Sequence, residues 1–154
     1  MKRETSFCIA AALLLASWVS VTAQELGYWR ASSKTAHSIT GDVALSEIKL
    51  SINFSLFNIV RARDLEPAEV ASVFDADSAG TVKGRLYGLN IPATRKFLHK
   101  NTLCGTEDTH WMAAYSPDGS SLQLAFFSSE KAPTFTVDAI ANSTSLCGVY
   151  SYVR

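Results

Sequence analysis

The clearest pattern in the chain is the segment Ile48-Lys49-Leu50-Ser51-Ile52-Asn53-Phe54-Ser55-Leu56. Apolar residues alternate with polar ones throughout it. Because successive side chains of a strand point to opposite faces, this period of two predicts a strand with one buried and one solvated face. Residues 57–62 either continue the strand past a bend or form its hairpin partner.

Similar short patterns recur on both sides of this segment. Thr40-Gly41-Asp42 predicts a turn between short strands at 38–39 and 43–45. The remaining expected strands cover residues 82–91, 109–115, 122–127, 133–137 and 149–153. Ser116-Pro117-Asp118-Gly119 predicts a tight hairpin turn, and the last strand is expected to dock near Tyr28-Trp29.

The only helix expected covers residues 66–74, with Pro67 at its first position and acidic residues in its first turn. Seven or eight short strands with one short helix predict an all-β fold, an antiparallel β-barrel or a sandwich. A barrel is favoured because closure removes exposed strand edges.

The first 23 residues have the pattern of a secretory signal peptide. Lys2 and Arg3 precede an apolar run, and Val21-Thr22-Ala23 places small residues where a signal peptidase cleaves. The run is too short and too interrupted for a membrane-spanning helix. We therefore expect residues 1–23 to be removed, leaving 24–154 as one β-barrel domain without a transmembrane segment, in the periplasm or secreted.

Two cysteines remain after that cleavage, in Leu103-Cys104-Gly105 and Leu146-Cys147-Gly148. In an exported chain such a pair predicts a structural disulfide. The 14 basic and 14 acidic residues give a net charge of zero. A near-neutral chain has no overall attraction for nucleic acid, so no nucleic-acid partner is expected.

The sequence lacks a complete catalytic or cofactor-binding motif. It has no GxSxG nucleophile elbow and no phosphate-binding glycine loop. His37, His99 and His110 lack the spacing of a zinc site. These observations predict a protein that is not an enzyme, with no cofactor and no metal.

Residues 92–111 form the segment with the most binding potential. Within them, residues 92–108 show no clear period, and the expected disulfide of Cys104 holds one end of the segment. Long irregular segments on a rigid scaffold often carry binding residues. The candidate binding residues are Arg95, Lys96, His99, Lys100, Glu107, Asp108, His110 and Trp111. The alternative is that Phe97 and Trp111 only cap the barrel while the charges face water.

Several stretches resemble a group of small exported proteobacterial proteins. The shared words are Trp29-Arg30-Ala31-Ser32-Ser33-Lys34-Thr35-Ala36, Ile39-Thr40-Gly41-Asp42, Thr109-His110-Trp111-Met112-Ala113, Leu122-Gln123-Leu124-Ala125-Phe126-Phe127-Ser128 and the two Leu-Cys-Gly tripeptides. The resemblance covers most of the chain after residue 23. It implies a periplasmic location and paired cysteines, and it implies no activity.

Three functions fit this description. The first is a non-catalytic binding protein of the cell envelope, most concretely an inhibitor of a lysozyme-like muramidase, with an envelope protein as its partner. Lys96, His99, Lys100 or His110 would then face the catalytic carboxylates. The second is a lipocalin-like carrier with Phe54, Phe126 and Tyr150 lining its interior. The third is an envelope hydrolase that uses Glu107, Asp108 or a histidine.

Overall fold

The computed structural model describes residues 25–154, and the expected leader at 1–23 lies outside the described residues. Eight antiparallel strands close into a barrel in which each strand pairs with its neighbour in sequence, and β1 also pairs with β8. The strands are β1 Gly27–Ala31, β2 Val43–Leu45, β3 Lys49–Ile52, β4 Ser55–Leu65, β5 Gly84–Ile91, β6 Thr109–Tyr115, β7 Ser121–Phe127 and β8 Leu146–Val153. The predicted all-β barrel is confirmed.

The prediction of one continuous strand over residues 48–56 is wrong, because a turn divides this segment between β3 and β4. Asn53 and Phe54 have φ of 46° and 63° and form a two-residue turn in which Ile52 pairs with Ser55. Cross-strand partners share a face, so the apolar pattern changes phase at this turn. Phe57 and the residue two beyond it, Ile59, point inward, whereas Phe54 is 98% exposed.

The barrel interior is filled by large side chains. Trp29, Tyr87, Phe126, Tyr150 and Tyr152 have no exposed surface, and they pack with Leu50, Ile52, Met112, Leu122 and Leu124 in one apolar cluster. The ring of Phe126 meets that of Tyr150 edge-on at 5.4 Å between centroids. Burial raises the pKa of Tyr150 to about 12. Close packing of this kind is typical of protein cores.

A second apolar cluster lies on the outside of the barrel, over β5, β6 and β7. The helix α1, Pro67–Val73, contributes Val70, and the chain between β7 and β8 contributes Phe135, whose ring contacts that of Phe127. Gly84 permits this packing, because a Cβ there would lie 2.9 Å from Val70 Cγ2. The expected helix at 66–74 is confirmed.

Two expected strands are wrong. Residues 36–40 form a single π-helical turn, Ala36–Thr40, whose Thr40 hydroxyl contacts the Tyr152 hydroxyl at 2.8 Å inside the barrel. The extended segment at 133–137 ends in a second helix, α2 Val137–Ala141, because the Thr136 side chain accepts a hydrogen bond from the Ala139 amide. In the first place a tertiary contact, and in the second a local helix cap, accompanies the loss of the expected strand.

One end of the barrel is closed by residues 92–108, which we call the cap loop. Phe97 and Leu103 are buried in the interior cluster, and Phe97 packs edge-on against Phe57. The Cys104–Cys147 disulfide, with a Cα–Cα distance of 4.9 Å, joins this loop to β8. The predicted disulfide is confirmed, and the end that it holds is called the cap end below.

Candidate functional site

The cap loop carries a rigid, basic turn. His99 and Lys100 have φ of 54° and 63°, and the turn is closed by hydrogen bonds from the Asn101 amide to the Leu98 carbonyl and from the Phe97 amide to the Asn101 carbonyl. Both side chains are exposed. Left-handed backbone is uncommon for such residues, and strained backbone clusters at binding sites.

Neighbouring contacts fix the base of this turn. The Leu98 side chain lies against Gly41, which follows the π-helical turn and has φ of 62°. The Asn101 side-chain amide donates to the Ser38 carbonyl at 3.0 Å. Asn101 and Leu98 therefore anchor the basic turn to the segment between β1 and β2.

Two other basic residues lie nearer the start of the loop. The Arg95 guanidinium lies 5.8 Å from the centroid of the Phe57 ring, a cation–π contact. Arg95 and Lys96 line a shallow open depression with Pro92 and Thr94. Exposed basic side chains thus occupy both the base and the tip of the cap loop.

The two predicted carboxylates hold the loop in place. Asp108 accepts a hydrogen bond of 2.7 Å from the Ala93 amide, which ties the two ends of the loop together. Glu107 accepts one of 2.5 Å from the Ser128 hydroxyl. These contacts are structural, and they leave both groups on the surface.

His110 and Trp111 lie in β6 rather than in the loop. Trp111 is half-buried, packs against the outer apolar cluster, and has its indole nitrogen 3.4 Å from the Glu130 carbonyl oxygen. His110 is also half-buried. The eight candidate residues therefore divide into basic side chains on the loop, carboxylates at its C-terminal end, and two residues in the barrel wall.

The outer wall formed by β1 to β4 exposes apolar side chains that sequence reasoning missed. Tyr28, Ala44, Ser51 and Leu56 are successive cross-strand partners, so they form one row on the outer face. Tyr28 is 61% exposed and Leu56 is 69% exposed. The small side chains of Ala44 and Ser51 leave a furrow between the larger two.

Phe54 stands at the cap end of this furrow. Together with Tyr28 it borders a pocket of about 200 Å³. The other lining residues are Thr40, Gly41, Asp42, Val43, Ala44, Ser51 and Asn53. We call this pocket the aromatic groove. Only its turn residue Asn53 was a possible sequence signal, since Asn tolerates the left-handed region and often begins a hairpin turn.

Asp42 fixes the position of Tyr28 in the groove. Its carboxylate accepts a hydrogen bond of 2.6 Å from the Tyr28 hydroxyl and one of 2.9 Å from the Ala31 amide. Both bonds lower the pKa of Asp42, and the bond from Tyr28 has the larger effect. The same bond raises the pKa of Tyr28. The groove thus holds a fixed phenol ring beside an ionised carboxylate.

Comparisons with known proteins add no family to this picture. Protein-family models, curated proteins and solved structures give no match. Among residues 25–154 no helix is long and apolar enough to cross a membrane. Within the same range no three histidine, cysteine or acidic side chains are grouped closely enough to hold a metal ion.

Proposed function

We propose that this chain is a non-catalytic binding protein of the cell envelope that engages its partner through the cap loop. The observation that carries the proposal is the exposed His99-Lys100 turn, with both residues in the left-handed region. The loop that bears it is held by buried Phe97 and Leu103 and by the Cys104–Cys147 disulfide.

A muramidase of the lysozyme type is the most specific partner that this turn suits. The cleft of such an enzyme holds a pair of catalytic carboxyl groups. The Lys100 ammonium would donate charge-assisted hydrogen bonds to the ionised member of that pair, while Arg95 and Lys96 would contact the rim of the cleft. A loop that is already ordered loses little conformational entropy on binding.

The compartment is part of the same proposal. It rests on the leader pattern at residues 1–23 and on the resemblance to exported proteobacterial proteins. A disulfide between Cys104 and Cys147 is typical of proteins from oxidising compartments. An envelope protein of this kind would meet muramidases that act on the cell wall.

Two other functions have less support. A carrier needs a free interior, and the side chains of Trp29, Tyr87 and Tyr152 fill the barrel. A hydrolase needs carboxylates that converge with other catalytic groups. Glu107 and Asp108 instead accept hydrogen bonds from Ser128 and from the Ala93 backbone.

The test is an inhibition assay with purified residues 24–154 and a lysozyme-type muramidase. The rate at which the enzyme clears a peptidoglycan suspension measures its activity. We expect micromolar protein to slow clearing, and Lys100→Glu to weaken inhibition by about tenfold or more, since a close charge pair would become repulsive. Lys34→Glu, which makes the same charge change at another exposed lysine, should inhibit like the wild type. Unchanged clearing at micromolar excess would contradict the proposal.

A further inference from the structure

We propose that the aromatic groove is a second binding site, distinct from the cap loop, and that it takes a single sugar ring of a neutral oligosaccharide. The aromatic groove is bordered by two exposed aromatic rings, Tyr28 and Phe54, and has polar side chains between them. This goes beyond the proposed cap-loop function, because none of its lining residues belongs to that loop.

The folding of this chain does not explain Phe54. Its ring is 98% exposed, so it contributes almost nothing to the core. Its φ of 63° is in the left-handed region, which is unfavourable for a residue with a Cβ. Glycine would satisfy the turn better. A residue that is unfavourable in both respects is best explained by a ligand that contacts its ring.

The exposed apolar surface is also unevenly distributed around the barrel. The outer faces of β5, β6 and β7 are covered by α1 and by Phe135. The outer face of β1 to β4 carries the exposed side chains of Tyr28, Leu56 and Val60 in addition to Phe54. Exposed apolar patches of this kind mark interaction surfaces.

The polar lining indicates which ligand fits. Asp42, Ser51 and Asn53 offer a carboxylate, a hydroxyl and an amide within one pocket. A sugar ring presents C–H groups to an aromatic face, whose quadrupole is negative, and hydroxyls at its edge that both donate and accept. The groove supplies both kinds of contact. Its volume of about 200 Å³ is below that of typical pockets for drug-sized ligands, so it suits a single ring.

Other ligand classes fit less well. A fatty chain would cover the exposed polar groups of Asp42 and Asn53 without offering either of them a hydrogen bond. An anion would be repelled by the ionised Asp42. A peptide that adds a strand needs an open sheet edge, and these strands form a closed barrel. A neutral ring with hydroxyls is the remaining class that uses the whole lining.

The mode of recognition follows from the fixed parts of the site. Tyr28 is held by its hydrogen bond to Asp42, and the Asn53-Phe54 turn holds the Phe54 backbone between β3 and β4. Each Asp42 oxygen has a second lone pair for a sugar hydroxyl. Since little must be ordered on binding, even a small ligand can be retained.

The experiment is isothermal titration calorimetry of purified residues 24–154 with two neutral trisaccharides, cellotriose and N,N′,N″-triacetylchitotriose. At least one trisaccharide should give saturable binding. Phe54→Gly and Tyr28→Ala should each weaken that binding by about tenfold, the value of one aromatic contact. Val60→Ser, on the same wall but outside the groove, should leave it unchanged.

Two results would overturn the proposal. The first is the absence of saturation by either trisaccharide at millimolar concentration. The second is wild-type affinity in folded Phe54→Gly and Tyr28→Ala. Lys100→Glu should bind sugar normally, and Phe54→Gly should inhibit a muramidase normally. The two variants therefore distinguish failure of the sugar site from failure of the cap-loop function.

Discussion

The guanidinium carbon of Arg154 lies 4.4 Å from the centroid of the fully buried Trp29 ring. The same guanidinium donates a hydrogen bond of 2.6 Å to the Leu26 carbonyl, and the Arg154 amide donates to the Ser120 carbonyl. The barrel closes at the seam between β1 and β8, where only Arg30 and Ala31 of β1 pair with β8. Arg154 adds contacts across this seam.

We expect Arg154→Ala to lower the free energy of unfolding by about 2 kcal/mol, because both the cation–π contact and a hydrogen bond of a charged donor are lost. The measurement is urea denaturation followed by tryptophan fluorescence. Lys34→Ala, at an exposed site, should change stability by less than about 0.5 kcal/mol. Equal stability of both variants would show that the seam does not depend on Arg154.

The disulfide closes a loop of 43 residues, for which the chain-entropy model gives about 4 kcal/mol. The double variant Cys104→Ser/Cys147→Ser should lose stability of that order in denaturant titrations. Wild-type protein in a reducing agent should match the double variant. A loss below about 1 kcal/mol in both would contradict the prediction.

Two glycines of β5 form a matched pair. A Cβ at Gly84 would lie 2.9 Å from Val70 Cγ2 and 3.1 Å from the Ala114 carbonyl oxygen, whereas at Gly88 the nearest atom is 3.6 Å away. Gly84→Ala should therefore cost about 1–3 kcal/mol by overpacking. Gly88→Ala should be close to neutral. Thermal unfolding by circular dichroism checks the difference, and equal melting temperatures would contradict it.

The hydrogen bond from Tyr28 to Asp42 should give stability a specific pH dependence. Because the folded-state pKa of Asp42 is lowered, its contribution is complete above the unfolded pKa near 4 and is lost as the pH falls through the folded value. The pKa of Tyr28 is raised, so its contribution is complete below the unfolded pKa near 10 and is lost as the pH rises through the folded value. Tyr28→Phe should flatten both limbs in denaturation measured across pH. Identical pH profiles for the two proteins would exclude this coupling.

Phe54→Gly should stabilise the fold by about 1 kcal/mol, because Asn-Gly is the favoured pair for this turn. The midpoint of urea unfolding measures it. Leu56→Ser, which removes another exposed apolar side chain from regular strand backbone, serves as the control and should give no such gain. Destabilisation by Phe54→Gly would mean that its ring supports the fold.

Strand periodicity predicted the all-β fold because inward-facing positions such as Leu50, Ile52 and Leu124 follow a period of two. The barrel was favoured over a sandwich because closure removes exposed strand edges. Composition and context predicted the disulfide. The turn at Asn53-Phe54 escaped prediction because the apolar pattern runs through it without a glycine. The helix α2 escaped because five residues give little periodicity, and Thr136 alone marks its start.

The candidate site was predictable only in part. The basic residues of the cap loop stand out in sequence because they cluster in an irregular segment, and the structure places them on the surface. The aromatic groove joins Tyr28, Asp42 and Phe54 from three separate segments. Such a juxtaposition depends on strand register, which sequence patterns do not specify across distant strands.

Because α1 and Phe135 cover only one side of the barrel, the point at which the protein is attached to a support decides which side stays accessible. A chemical tether placed at exposed Asp138 on α2 would direct the uncovered strands away from a sensor chip. A tether at Leu56 would press the same strands against the support. A trisaccharide that binds the aromatic groove should therefore give a larger signal in the first arrangement than in the second.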